Sequence, residues 1–206
     1  MLLTIDAQEP EGWLVAQAAN VLRRGGVAVI PTDTVYALAC CLSAAGAVRR
    51  IYDLKDLDPK KPLSLLVDDI AQVSRYTRGF SRATFRAMKR ALPGPFTLVF
   101  EASSEVPKIM LRKRKTVGIR IPDSPIVLAL LAELGEPLIS TSVRTSTDEW
   151  INDPALLESE LGDRVDLVVD GGLLLPEPST VIDFCGREAV VLRHGKGDVE
   201  ALGLLE

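Results

Sequence analysis

The chain has almost no histidine. Its 206 residues include one, His194. Sites built on several imidazoles are therefore excluded, as are HExxH and any paired-histidine relay. Cysteine is scarce too: Cys40, Cys41 and Cys185 form an odd set with two adjacent members and no CxxC. That is no disulfide framework, and reduced thiols in a cytoplasmic protein fit it best. Met1–Asp6 lacks a basic region followed by a long apolar run, so no signal peptide is expected. The longest apolar run, Ile126–Ala132, is too short to span a bilayer. GxxxxGK[ST] and GxGxxG are both absent, and Gly195-Lys196-Gly197 is only an echo of the first. Any phosphate site must be assembled from scattered cations and hydroxyls. There is no basic excess either. Lys and Arg number 24 against 28 Asp and Glu, a net charge of −4. Contact with nucleic acid would need a local patch.

What remains is an ordinary globular balance, 47% apolar and 25% charged, which rules out disorder, collagen and coiled coil. A chain of this length buries roughly 70% of its unfolded surface, enough for one domain with a full core. Trp13, Leu14, Ala18, Val21 and Leu22 recur at helical spacing before Gly25-Gly26. Val27–Ile30 reads as a strand buried on both faces. A helix capped by Ser43 is predicted through Lys55, then a strand over Leu63–Val67. Ser81–Leu92 is helical in pattern. Phe96–Phe100 and Thr116–Ile121 read as strands. Ser124-Pro125 opens a helix that Gly135 closes, and Leu138–Thr141 is a strand. Late strands are expected at Val165–Val169, Thr180–Phe184 and Ala189–Leu192. The alternation predicts an α/β (α+β) fold, a twisted open mixed sheet flanked by helices, mostly parallel early and antiparallel late.

Several segments carry candidate chemistry. Pro31-Thr32-Asp33-Thr34-Val35-Tyr36 follows the first buried strand, where open α/β sheets bind ligands. Its hydroxyls suit a carboxylate or an amine; the bland alternative is a polar turn, with Asp33 capping the next few residues. Lys55, Lys60 and Lys61 bracket a turn and suit phosphates or a solvated surface. Val106–Pro122 holds Lys108, Arg112, Lys113, Arg114, Lys115 and Arg120 and no acid, a stripe for a polyanion such as RNA or a triphosphate. Arg120 lies within a strand pattern, on the same parity as Thr116 and Gly118, and needs an anionic partner, either a ligand or a core carboxylate. Ser140-Thr141-Ser142 ends a strand and could bond ribose or phosphate oxygens. Gly171-Gly172 suits close backbone approach or positive φ, and Pro178-Ser179-Thr180-Val181 enters a strand.

In order and spacing, PTDTVYALAC (31–40), LKDLDPKKPLSLLV (54–67), PGPFTLVF (93–100), KTVGIRIPDSP (115–125), EPLISTS (136–142), VDGG (169–172) and PSTVID (178–183) resemble the Sua5/YciO/YrdC family. The wording is most similar to its YciO branch. The resemblance runs from about Leu14 to Val199. It implies a threonylcarbamoyl-AMP synthase-like nucleotidyltransferase with a concave, positively charged cavity, acting on L-threonine, bicarbonate and ATP for t6A modification of tRNA. Mg²⁺ would accompany ATP, held mainly by phosphate and water. By resemblance, Thr32, Thr34, Thr116 and Arg120 bind substrate. Lys55, Lys61, Ser140, Ser142, Ser179 and Arg193 bind ATP, and Lys55, Lys61 and Arg120 stabilise charge. The departures are Leu57 for a family arginine, Leu66 for a frequent histidine, and Ser142-Val143-Arg144 for Ser-Ala-Asn. Those losses motivate an alternative, a non-catalytic protein binding tRNA or double-stranded RNA through Lys108, Arg112, Lys113, Arg114 and Lys115.

Overall fold

The structure is a computed structural model and describes residues 1–54, 62–111, 114–144 and 151–203. The strands are β1 (Leu2–Thr4), β2 (Ala28–Ile30), β3 (Ala37–Cys41), β4 (Ser64–Leu66), β5 (Phe96–Glu101), β6 (Thr116–Arg120), β7 (Leu138–Ser142), β8 (Leu167–Asp170), β9 (Thr180–Asp183) and β10 (Val190–Arg193). The helices are α1 (Gly12–Arg23), α2 (Ala45–Leu54), α3 (Ile70–Tyr76), α4 (Arg82–Ala91), α5 (Lys108–Leu111), α6 (Pro125–Leu134) and α7 (Pro154–Leu161). The strands form one sheet in the order β1-β8-β2-β3-β7-β4-β6-β5-β9-β10.

The sheet is mixed throughout, which corrects the expectation of a parallel beginning. β2 turns back into β3 antiparallel, and β3 pairs β7 antiparallel. The parallel pairs β1–β8, β2–β8, β4–β6 and β5–β9 join strands far apart or adjacent only through a crossover. Apolar runs identify strands, but strand direction depends on distant partners.

Helix ends follow their caps. Gly25 (φ 81) and Gly135 (φ 70) take the left-handed conformation at or beyond the ends of α1 and α6. Pro125 supplies the first turn of α6. Ser43 does not cap α2. Its hydroxyl donates to Glu136 at 2.9 Å and its N–H to the same carboxylate.

Side-chain alternation divides the sheet into two faces. On one, Leu38, Cys40, Leu65, Leu98, Val117, Ile119, Ile139 and Val168 pack into a large core with α2 and α4. On the other, Ala28, Ile30, Ala39, Cys41, Leu66, Leu138, Leu167 and Val169 pack under α1 and α6. Leu22 and Leu130 are fully buried there, each contributing about 1.5–3 kcal/mol. These helices cover only half of that face. Over β4, β5, β6, β7 and β9 the same face carries Ser64, Thr97, Gly118, Ser140 and Asp183, and it opens into a hollow. No helix among the described residues is long and apolar enough to cross a membrane.

Candidate functional site

The hollow encloses about 310 Å³, at the low end of small-molecule sites, which span about 300–1,000 Å³. Its floor is set by strand register. Ser64 pairs with both Gly118 and Ser140, Val99 with Gly118 and Asp183, and Ala37 with Ser142. Gly118 leaves little room for a side chain. A Cβ there would come within 3.1 Å of Ser64 Oγ and 3.2 Å of Thr97 Cγ2.

The Pro31–Tyr36 turn forms one wall. Thr32 is buried and does not line the hollow. Its hydroxyl donates to the Val35 carbonyl at 2.6 Å, accepts the Thr34 N–H at 3.1 Å and lies 3.0 Å from Thr34 Oγ1. Thr32 thus builds the turn, and Thr34 faces the cavity. Arg120 Nη2 reaches across, donating to Asp33 Oδ1 at 2.7 Å and to Thr34 Oγ1 at 3.0 Å. The anionic partner that the sequence required is therefore a carboxylate of the chain, and Asp33 is no cap. Burial pushes the Arg120 guanidinium below its ordinary pKa, and Asp33 opposes that shift. Arg120 still lines the hollow. Lys196 grips the same turn from another side, donating to the Asp33 carbonyl at 2.6 Å.

The opposite wall is built by β9 and β10. Arg193 donates to the Ser179 carbonyl from Nε at 3.1 Å and from Nη2 at 2.7 Å, and also to Ser179 Oγ at 3.1 Å. Ser179 Oγ lies 2.7 Å from Thr97 Oγ1. Burial, then the positive charges of Arg144 and Arg120, push the Arg193 pKa down. Gly171 packs so closely on Pro31 that a Cβ would fall 2.7 Å from its Cγ, and Gly172 has φ 88. Tyr36 ties this pair in place, accepting the Gly171 N–H at 3.1 Å and donating to the Gly172 carbonyl at 2.8 Å.

The structure therefore brings Thr34, Thr116, Arg120, Ser140, Ser142, Ser179 and Arg193 together around one cavity. Lys55, Lys60, Lys61, Leu57, Arg112 and Lys113 lie outside the described residues. Lys108, Arg114 and Lys115 are exposed, and of these Arg114 lines the hollow. Leu66 is fully buried beneath α1 and α6, and Val143 is buried in the opposite core. Ser64, Thr97, Gly118 and Lys196 were not singled out as site residues from the sequence. The readable signal was small or polar residues recurring at period two inside apolar strands, as in Thr116-x-Gly118-x-Arg120.

The result is a hydroxyl-lined, arginine-bearing hollow on one face of a mixed α/β sheet. Residues 20–195 match the Sua5/YciO/YrdC family model, described as "Telomere recombination", and the chain belongs to that family. It is 39% identical over 198 residues to Escherichia coli K12 YciO, covering 95% of this chain and 96% of YciO. It is 38% identical over 191 residues to the Homo sapiens threonylcarbamoyl-AMP synthase, covering 87% and 67%. The crystal structure of E. coli YciO superposes with a TM-score of 0.92 at 38% identity, covering 98% of each chain. That of P. abyssi Sua5 complexed with L-threonine gives 0.91 at 27%, covering 97% of this chain and 59% of Sua5.

Proposed function

We propose that this chain is a threonylcarbamoyl-AMP synthase-like nucleotidyltransferase whose product serves t6A modification of tRNA. The reaction joins L-threonine, bicarbonate and ATP into threonylcarbamoyl-AMP, with release of pyrophosphate and water. The supporting observation is the single hollow that holds Thr34 on Arg120 at one wall and Arg193 on Ser179 at the other. The relatives favour this reading over binding of double-stranded RNA.

The chemistry asks little of protein nucleophiles. The threonine amine attacks the bicarbonate carbon, and water leaves. A carbamate oxygen then attacks the α-phosphorus, and pyrophosphate leaves. The protein must align these groups and stabilise charge on phosphate. Thr34 and Thr116 offer hydroxyls to the amino acid, and Arg120 fixes Thr34. Ser140, Ser142, Ser179 and Arg193 face the nucleotide, with Lys55 and Lys61 assigned to its phosphates by resemblance. Mg²⁺ would accompany ATP, held mainly by phosphate and water, and would supply charge neutralisation at the phosphates. Among the described residues no group of three His, Cys, Asp or Glu could hold a metal. By resemblance, Leu57 stands where family synthases carry an arginine; the missing charge-assisted bond, worth about 1.5–3 kcal/mol, predicts turnover about 10–150-fold below that of a synthase that keeps the arginine.

The test is incubation of pure protein with ATP, bicarbonate and labelled threonine. Equal yields of pyrophosphate and labelled adenylate are expected. No adenylate at high protein concentration, with the human synthase active alongside, overturns the reading.

A further inference from the structure

We propose that α4 and the turn between β9 and β10 form a second anion site, on the side of the sheet opposite the hollow, for a ligand that carries linked phosphate groups.

Charge along the chain points there first. Residues 70–100 contain six cations, Arg75, Arg78, Arg82, Arg86, Lys89 and Arg90, and no acid, in a chain of net charge −4. Arg75 pairs with Glu105 at 3.4 Å, and Arg78 Nε donates to the Ala102 carbonyl at 3.3 Å. The other four belong to α4. Met88 and Ala91 turn that helix toward the larger core. Arg82, Arg86 and Arg90 stand four residues apart, so they follow one side of the helix in steps of about 6 Å. All three are exposed, as is Lys89, which sits over the Phe85 ring at 5.3 Å. None of the four forms an ion pair among the described residues.

Alternation brings a second wall to this helix. At the end of β9 Asp183 lines the hollow, and the next residue, Phe184, lines a groove of about 360 Å³ against α4. The turn that follows adds Arg187, which is exposed, lines the groove together with Arg86 and Arg90, and forms no ion pair among the described residues. Arg90 is anchored, since its Nη1 donates to the Leu202 carbonyl at 2.8 Å. Ser81 Oγ and Thr84 Oγ1, 2.9 Å apart, add hydroxyls at one end. The chain has 28 Asp and Glu, yet Glu188 is the one acid among the lining residues. Three guanidiniums thus share a groove with one carboxylate. A ligand with several negative oxygens meets that excess, and planar guanidinium forks bond phosphate oxygens in pairs. A row of charge, rather than a point, favours linked phosphates over a single one. Free oligophosphate and a nucleic-acid backbone share this chemistry.

Amide NMR titration of the full chain with inorganic pyrophosphate and with a short RNA oligonucleotide tests this, using the parent, the double variant Arg86→Gln with Arg187→Gln, and the distant exposed control Arg24→Gln. Arg86 and Arg187 are exposed, so the double variant should melt with the parent. Saturating shifts are expected at the Ala87 and Gly186 amides, with affinity about 10–100-fold weaker in the double variant and unchanged in the control. A response to pyrophosphate alone assigns the site to free oligophosphate. A response to RNA that falls steeply with salt assigns it to a nucleic-acid backbone. No saturating shift at Ala87 and Gly186 with either probe overturns the proposal, as does parent-like affinity in the double variant or equal loss in Arg24→Gln. The Gly118 amide, in the floor of the hollow, reports that site separately, so a missing adenylate leaves the groove on α4 standing.

Discussion

Asp33, the carboxylate that pairs with Arg120 at the hollow's wall, should be a highly sensitive polar position. Arg120 is 8% exposed, and its Nη2 lies 2.7 Å from Asp33 Oδ1. Asp33→Asn keeps the shape and removes the counter-charge. Breaking a buried pair from one side costs about 3–5 kcal/mol, because the remaining charge is left in low dielectric. Thr34 Oγ1 still accepts from the same guanidinium at 3.0 Å, so the lower end applies. A loss of about 3 kcal/mol corresponds to a fall of about 6–12 °C in Tm for a domain of this size. Replacing both partners, Asp33→Asn with Arg120→Met, removes the stranded charge and should recover part of that loss. Pyrophosphate should stabilise Asp33→Asn more than the parent, since the anion takes the place of the missing carboxylate. Urea titrations and thermal melts of the three proteins measure all of this. The reasoning fails if Asp33→Asn stays within about 1 kcal/mol of the parent, or if the double variant is no more stable than Asp33→Asn.

Gly118→Val should fill the floor of the hollow, since even a Cβ meets Ser64 and Thr97 at 3.1 and 3.2 Å; calorimetry should show ATP binding lost, and urea titration should show a stability loss of about 1–3 kcal/mol from overpacking. Cys40, Cys41 and Cys185 should react slowly in the native state, because burial pushes each thiol up to about 12; a thiol reagent at mildly alkaline pH should label all of them only in denaturant. Burial raises the Asp166 carboxyl, but the Val27 N–H and Arg50 outweigh that, and it sits below the usual range. Its stabilisation is therefore full above the unfolded value near pH 4 and is lost as pH falls through the lower folded value. Urea midpoints of Asp166→Asn should accordingly vary less with pH on the acid side.

Local signals carried much of this architecture. The Gly25-Gly26 stop, Pro125 and Gly135 are short-range instructions, and α1 and α6 end where they say. β3 was not foreseen, because Ala37–Cys41 continues straight from a polar turn with no punctuation of its own. α3 and α7 are short, and α7 has apolar residues on more than one side. Strand direction was legible only at the end, where β9 and β10 pair antiparallel as neighbours; early in the chain it was not, since β2 finds its parallel partner β8 almost 140 residues later. The Asp33–Arg120 pair spans 87 positions. Alternation could show that Arg120 needed an anion, but not whether that anion belonged to the chain or to a ligand.

The same alternation explains how one sheet face serves two purposes. Thr116-x-Gly118-x-Arg120 and Ser140-x-Ser142 flank β4, with Val117, Ile119, Ile139 and Val143 of the same two strands and their continuation buried on the other side. The buried set holds these strands against the larger core, where truncating Ile119 or Ile139 to alanine should cost about 2–5 kcal/mol. Among the described residues the hydroxyl members Thr116, Ser140 and Ser142 line the hollow, which leaves them lightly packed on that side, so the fold depends less on them than on the apolar set. Changes at Ser140 or Ser142 should then alter what the hollow binds at small cost in stability. Asp33 and Arg120 are the exception, because breaking their buried pair from one side strands a charge even though Arg120 lines the hollow.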